Sequence, residues 1–370
     1  MDTSEIEKQI KNIEDEIFNT QKNKATEHHI GKLKAKLARL RSEVEKRKST
    51  GAKGKGFAIK KHGDATVALI GFPSIGKSTL INRLTDAKSR IGSYDFTTLD
   101  AIPGMLKHNG ADIQILDLPG LISGASEGKG RGREVLSAVR NVDLILFIID
   151  AQHKDHLDLM ADELHRAGLR LNQKKPDVVV KKTGQGGINI NATKKLTKIT
   201  EELAKSISSE YVINADIVIR EDLTEDRLID AFIQNRIYVP AIVLINKTDL
   251  ISEKTLQSKI KNIKQSGWKV IPISARKGKG LNKLKELIFS ELSFIRIYMK
   301  PVGKPADMDD PLILKEGDTV ETVCKKLHRD FQDKFRYAAV SGPSAKHDIQ
   351  KVGLDHVLKD GDILTIVISR

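Results

Sequence analysis

Three stretches carry residue types whose spacing suits phosphate, metal and base recognition: "GFPSIGKST" (71–79), "DLPG" (117–120) and "NKTD" (246–249). In the first, Gly71 and Gly76 bracket Phe72, Pro73, Ser74 and Ile75, and Lys77 and Ser78 follow. Glycines let successive backbone N–H groups turn inward around an oxyanion, and a helix that starts there adds its positive N-terminal dipole. The pattern predicts a phosphate loop in which Lys77 reaches the β- and γ-phosphates of a nucleotide and the Ser78 hydroxyl ligates Mg²⁺. In the second stretch, Asp117 ends an apolar run and precedes Leu118, Pro119 and Gly120. An acidic residue at that place holds Mg²⁺, usually through a water, and the Gly120 N–H meets the γ-phosphate. Between the two, "YDFTTLD" offers Thr97 or Thr98 as a second hydroxyl for the metal, able to report whether the γ-phosphate is present.

Base identity falls to the third stretch. The Asp249 carboxylate accepts hydrogen bonds from guanine N1–H and N2–H₂, a pair that adenine does not present. A site built around such a carboxylate rejects the base that leaves it unpaired, so GTP is expected over ATP. Lys247 is expected along the base plane and Asn246 as a brace for the phosphate loop. "SAR" (274–276) ends the next strand, where Ser274 and Ala275 join the site and the Ala275 N–H faces guanine O6.

These residues need a sheet to hold them. "ATVALIGF", "ADIQILDL", "VDLILFIIDA", "AIVLINKTDL" and "WKVIPISA" are apolar strand-length runs separated by helical patterns, and the three stretches sit where strands end. Continuous apolar strands alternating with helices predict an α/β fold with a mostly parallel sheet covered on both faces. "KHNGAD" carries an Asn-Gly turn that pairs its flanking strands as a hairpin. The helix "HLDLMADELHRAG" ends near Gly168 and the next sheet strand begins near Pro240, a gap far beyond an ordinary connection. The gap predicts an inserted α+β domain (169–239), with a hairpin about Thr-Gly-Gln-Gly. The sheet domain then spans 62–168 and 240–290, and residues 291–370 form a small mixed sheet on one helix.

The N-terminal segment (1–61) reads as two amphipathic helices: Ile6, Ile10, Ile13 and Ile17 make one stripe, and Ile30, Leu33, Leu37, Leu40 and Val44 the other. "STGAKGKG" follows as a flexible linker. The net charge of +14 is unevenly placed. Residues 21–61 hold fourteen Lys/Arg against three Glu, a balance of +11, whereas residues 1–20 hold two Lys against six Asp/Glu. Such a segment is either a polyphosphate-binding surface or a solvated helix face with a linker. Few aromatics accompany it, which favours backbone contact with structured RNA over reading of single strands. The one cysteine, Cys324, excludes an internal disulfide and suits a reducing cytoplasm. No apolar run is long enough for a membrane span, and the N-terminus has no signal-peptide core.

With "GFPSIGKSTL", "YDFTTL", "DLPGLISGASEGKGRGREVL" and "NKTDL" in this order, and "KATEHHIGKLKAKLARLR" before them, the chain resembles the developmentally regulated GTP-binding proteins, Obg-like GTPases, over nearly its whole length. The resemblance implies a phosphate-loop GTPase domain behind a helical N-terminal region. It implies an insertion similar to the second domain of a small-subunit ribosomal protein and a C-terminal β-grasp TGS domain. It favours Thr98 as the switch threonine and implies slow GTP hydrolysis, association with ribosomes or RNA, and often a dedicated protein partner. Lys77, Thr98 and Gly120 are then the catalytic candidates, and Ser78, Thr98 and Asp117 the Mg²⁺ ligands. Leu121 stands where many GTPases carry a water-orienting glutamine, as hydrophobic residues do in this group. Related enzymes use K⁺ instead, held in part by a phosphate-loop asparagine; Ser74 occupies that place and leaves K⁺ activation open. Lys129, Arg131 and Arg133 could donate a cation in cis, but the glycines around them favour a mobile loop. The competing function is a ribosome-binding scaffold in which nucleotide is structural and hydrolysis incidental.

Overall fold

The computed structural model describes residues 3–21, 23, 26–50, 62–85, 103–118, 139, 141–153, 156–233 and 235–369. Thr97, Thr98, Pro119, Gly120, Leu121, Lys129, Arg131 and Arg133 lie outside these residues, as does nearly all of the linker. In chain order the elements are α1 (Thr3–Asn19), α2 (Glu27–Thr50), β1 (Ala65–Ile70), α3 (Lys77–Leu84), β2 (Pro103–His108), β3 (Ala111–Asp117), β4 (Leu144–Asp150) and α4 (Leu157–Arg166). Then come β5 (Leu169–Leu171), β6 (Val178–Lys182), β7 (Ile188–Ala192), α5 (Glu201–Ser209), β8 (Ala215–Ile219), α6 (Glu225–Phe232) and β9 (Ile237–Val239). The chain continues through β10 (Ala241–Asn246), α7 (Glu253–Gln265), β11 (Lys269–Pro272) and α8 (Leu281–Glu291). It ends with β12 (Phe294–Met299), β13 (Leu312–Lys315), α9 (Val320–Leu327), α10 (Arg329–Asp333), β14 (Phe335–Ser341), β15 (Gln350–Val352) and β16 (Asp362–Ile368).

Two units result: Met1–Gly56 with Gly168–Tyr238, and Phe57–Ala167 with Val239–Arg370. The second is built on a six-stranded sheet of order β11-β10-β4-β1-β3-β2. Its neighbours are parallel except for β2, which turns back along β3. Asn109 (φ 51°) and Gly110 (φ 82°) close that hairpin, both in the left-handed region that a two-residue turn of this twist requires. Every residue of β1, β4 and β10 is buried, as expected of strands covered on both faces. Register pairs Leu69 with Asp117 and Asp150 with Asn246, so polar residues gather at the carboxyl edge, where ligands bind in such sheets.

The C-terminal part of this unit is a mixed sheet of order β13-β12-β16-β14-β15. Ile295, Ile297, Leu314, Val340 and Leu364 pack with Val320, Val323 and Cys324 of α9. Phe294 and Ile313, on the opposite face, belong instead to the core of the six-stranded sheet. Lys315 Nζ lies 3.1 Å from Asp143 Oδ1 and Lys326 Nζ 3.1 Å from Asp64 Oδ1, beside the amino ends of β4 and β1.

In the first unit, Ile6 and Ile13 of α1 face Leu40 and Val44 of α2. The other side of α2 packs on the insertion. Ala35 belongs to the insertion's core, and a Cβ on Gly31 would come within 2.7 Å of Leu203 Cδ1. Tyr211 donates its hydroxyl hydrogen to Ala35 O (2.8 Å) and stacks on Phe232 at 4.9 Å. The hairpin expected about Thr-Gly-Gln-Gly does not form. Strand order is β6-β8-β7, with β8 antiparallel to β6 and parallel to β7 through α5. Ala215, Ile217 and Ile219 of β8 are fully buried, while β6 and β7 bury their apolar residues only partly. The most apolar strand therefore takes the centre, which a turn signal alone does not reveal. Where the insertion begins and ends, β5 pairs with β9. The buried Asp230 carboxylate there accepts from both Arg170 and Arg236.

Candidate nucleotide site

β1 ends at Ile70 and α3 begins at Lys77, with Gly76 (φ 98°) as its N-cap. Neither glycine of the intervening loop has room for a side chain. A Cβ on Gly76 would sit 2.7 Å from Asn246 Nδ2, and one on Gly71 2.7 Å from Ile148 O. Ser74 is also left-handed (φ 62°), so the loop reverses twice within a few residues. Lys77 Nζ donates to Gly71 O (3.0 Å) and Phe72 O (3.1 Å), which anchors the ammonium across the loop.

Asp117 ends β3 beside this loop. Burial pushes its carboxyl above the usual carboxylate range, and the Lys77 ammonium opposes the shift. Its Oδ1 is buried without a hydrogen-bond partner among the described residues. A buried carboxylate oxygen left open is costly unless a cation meets it. With the Ser78 hydroxyl on the adjoining helix, the donors are hard oxygens that fit Mg²⁺.

On the base side, Asn246 is 2% exposed and ends β10. Its Nδ2 donates to Ile75 O (2.8 Å) in the phosphate loop, and its Oδ1 accepts from Ala275 N (3.0 Å). The Ala275 amide, assigned from sequence to guanine O6, is thus engaged by Asn246 here. Ser274 Oγ donates to Asp249 Oδ1 (2.6 Å), and Lys277 Nζ stands 3.8 Å from Asp249 Oδ2. The Ser274 hydrogen bond holds the Asp249 carboxyl below the usual carboxylate range, against a smaller opposing effect of burial. Lys247 adopts φ 62°, and its Nζ reaches back to Ser74 O (3.1 Å).

Comparison with known proteins gives this geometry a family. The family described as "50S ribosome-binding GTPase" matches residues 66–182, the C-terminal region of the same domain matches 185–294, and the TGS domain matches 295–368. The chain is 54% identical to an uncharacterized GTP-binding protein of Methanocaldococcus jannaschii over 100% of this chain and 94% of that one. It is 46% identical to a developmentally regulated GTP-binding protein 2 homolog of Dictyostelium discoideum (98% of this chain, 99% of that one). The human developmentally regulated GTP-binding protein 2 is 43% identical with the same coverage. The chain belongs to the developmentally regulated GTP-binding proteins.

It is accordingly a GTP-binding protein of the Obg type, from a family of GTPases. Two residues that sequence reasoning did not single out stand behind the base-side loop of this GTP-binding protein. Asp150, at the end of β4, places Oδ2 2.7 Å from Lys247 Nζ. Lys259 of α7 donates to the carbonyls of Asp150 (2.9 Å), Ala151 (3.0 Å) and His153 (2.5 Å). The signal for Asp150 was present: an acid closing the run "LILFIID" in register with Asn246. Nothing in the sequence names its partner. A cavity of about 310 Å³ flanks the loop here, bounded by Phe72, His153, His156 and Met160.

Proposed function

We propose that this chain hydrolyses GTP slowly with Mg²⁺, and that bound nucleotide sets its association with ribosomes or structured RNA in the cytoplasm. The observation that carries the nucleotide part is the Asn246 side-chain amide. It ties the phosphate loop (Ile75 O) to the Ser274–Ala275 loop (Ala275 N) and so fixes the span between phosphate and base recognition. Backbone groups from Gly71 to Ser78 would hold the phosphates, with Lys77 reaching the β- and γ-phosphates. Asp249 would grip the guanine edge, Ser274 would orient that carboxylate, and Lys247 would lie along the ring. Ser78, Asp117 and Thr98 would hold Mg²⁺. When bound, the ion neutralises charge developing on the transferred phosphoryl group. The Leu118–Gly120 backbone would meet the γ-phosphate. Leu121 has no hydrogen-bonding group, so no side chain there positions water, and unassisted turnover is expected to be slow; a phosphate-loop GTPase that has the glutamine but no arginine finger turns over on the order of 10⁻⁴ to 10⁻³ s⁻¹. K⁺ is the proposed helper at the Ser74 position; equal rates in KCl and NaCl would remove it.

Ribosome association is supported by the description of the matched family and by the basic N-terminal segment. Multiple-turnover hydrolysis measured with and without ribosomes is the test. Stimulation by ribosomes is expected; ribosome binding indifferent to GTP or GDP, with no stimulation, would favour a scaffold.

A further inference from the structure

We propose that Asp150 is a positioning residue which, by holding Lys247, sets how long a guanine nucleotide stays bound. The proposal rests on the nucleotide reading above. Asp150 is 7% exposed at the end of β4, beside Asn246 in the sheet. Both carboxylate oxygens are engaged: Oδ2 with Lys247 Nζ (2.7 Å) and Oδ1 with the Gln152 amide (2.8 Å). Burial alone would raise its carboxyl, but the Lys247 and Gln152 hydrogen bonds outweigh that and hold it below the usual range. The turn after β4 is fixed in its own right by the three carbonyls on Lys259 Nζ. The carboxylate therefore sits on a rigid mount.

Lys247 has a long, flexible side chain on the base side, beside the phosphate loop. Its left-handed backbone lifts it off β10 and turns the stem back toward the phosphate loop, where Ser74 O accepts at 3.1 Å. A carbonyl holds an ammonium without cancelling its charge. Asp150 supplies the counter-charge, so the ammonium can stay against the loop while the methylenes form an apolar ledge for a purine face. With neutral asparagine at 150, the ammonium is drawn toward solvent and the ledge loosens. A ring-face contact is the same with GTP, GDP or the transition state, so its loss changes residence and KM rather than kcat.

Release of a fluorescent GDP from the full chain tests this. Asp150→Asn is expected to speed release about tenfold while kcat at saturating GTP stays within twofold, and Asp150→Glu restores slow release. Weakening should be equal for GDP and inosine diphosphate, because the ledge meets the ring face; Asp249→Asn should change that ratio. In a Lys247→Met background, Asp150→Asn should add less than twofold, since the two act as one unit. Melting followed by circular dichroism checks the fold, and Asp150→Ser carries the same comparison if the asparagine variant fails it. Wild-type-like release from Asp150→Asn, or a full effect persisting without the Lys247 ammonium, overturns the proposal while leaving the nucleotide site intact. Failure of the wild-type chain to bind GDP at all takes down both.

Discussion

Lysines and arginines behave differently in the two units. At the carboxyl edge of the six-stranded sheet, Lys77 and Lys259 donate to backbone carbonyls of loops and Lys247 bridges a loop carbonyl to the Asp150 carboxylate, so each ammonium is held in place at the site. On α2 the cations meet carboxylates, Lys34 with Glu225, Arg41 with Glu14 and Arg47 with Glu43, while Arg39 lies by the Glu210 carboxylate and donates to that residue's carbonyl oxygen. The first pattern fixes charges where an anion would arrive. The second joins α2 to α1 and to the insertion, and the pairs with Glu14, Glu210 and Glu225 match part of the charge excess counted along residues 21–61. A tally of positive charge therefore overstates what α2 could offer a polyphosphate partner. Among the described residues, exposed Lys36 is still open to a polyphosphate partner.

The contrast can be broken at several points. The largest effect is expected at the insertion's stem. Asp230→Ala leaves Arg170 and Arg236 without their shared carboxylate and should cost about 3–5 kcal/mol, read by thermal melting, with GDP affinity unchanged. Next is Gly76→Ala, which brings a Cβ against Asn246 Nδ2 in a left-handed backbone. A loss of about 1–3 kcal/mol in GDP binding is expected by calorimetry, with little change in the melting of the insertion. Neutralising Lys53, Lys55, Lys60 and Lys61 together should lower ribosome affinity and flatten its salt dependence; the matched Arg39→Ala should leave the salt slope as it was. The smallest effect concerns pH. Because the Asp249 carboxyl lies below the usual range, it stays ionised as pH falls, so preference for GDP over ADP should persist down to about pH 5. A preference lost between neutrality and that point would mean the carboxylate is not the discriminating group.

Much of the fold and site was legible in the chain because each rests on local pattern. Continuous apolar runs predicted the parallel sheet, and "GFPSIGKST" between strand and helix located the phosphate loop. The Asn-Gly pair produced the β2–β3 turn because two consecutive positive φ values demand such residues. What escaped depends on long-range pairing. The insertion's strand order follows from which strand buries most completely, and α2's attachment depends on close packing at Gly31 and on carboxylates far along the chain. Asp150 was visible as an acid at a strand end, yet its role lies with Lys247, nearly a hundred positions away.

The central claim is that Asp249, Asn246 and the phosphate loop form one guanine-nucleotide site. Calorimetric titration of nucleotide-free protein with GDP and with ADP, repeated on Asp249→Asn, tests it most directly. Heat with GDP alone, and an affinity at least about 100-fold weaker in the variant, is the predicted result. Equal binding of the two nucleotides, or a variant that binds GDP as tightly as the wild type, would contradict it.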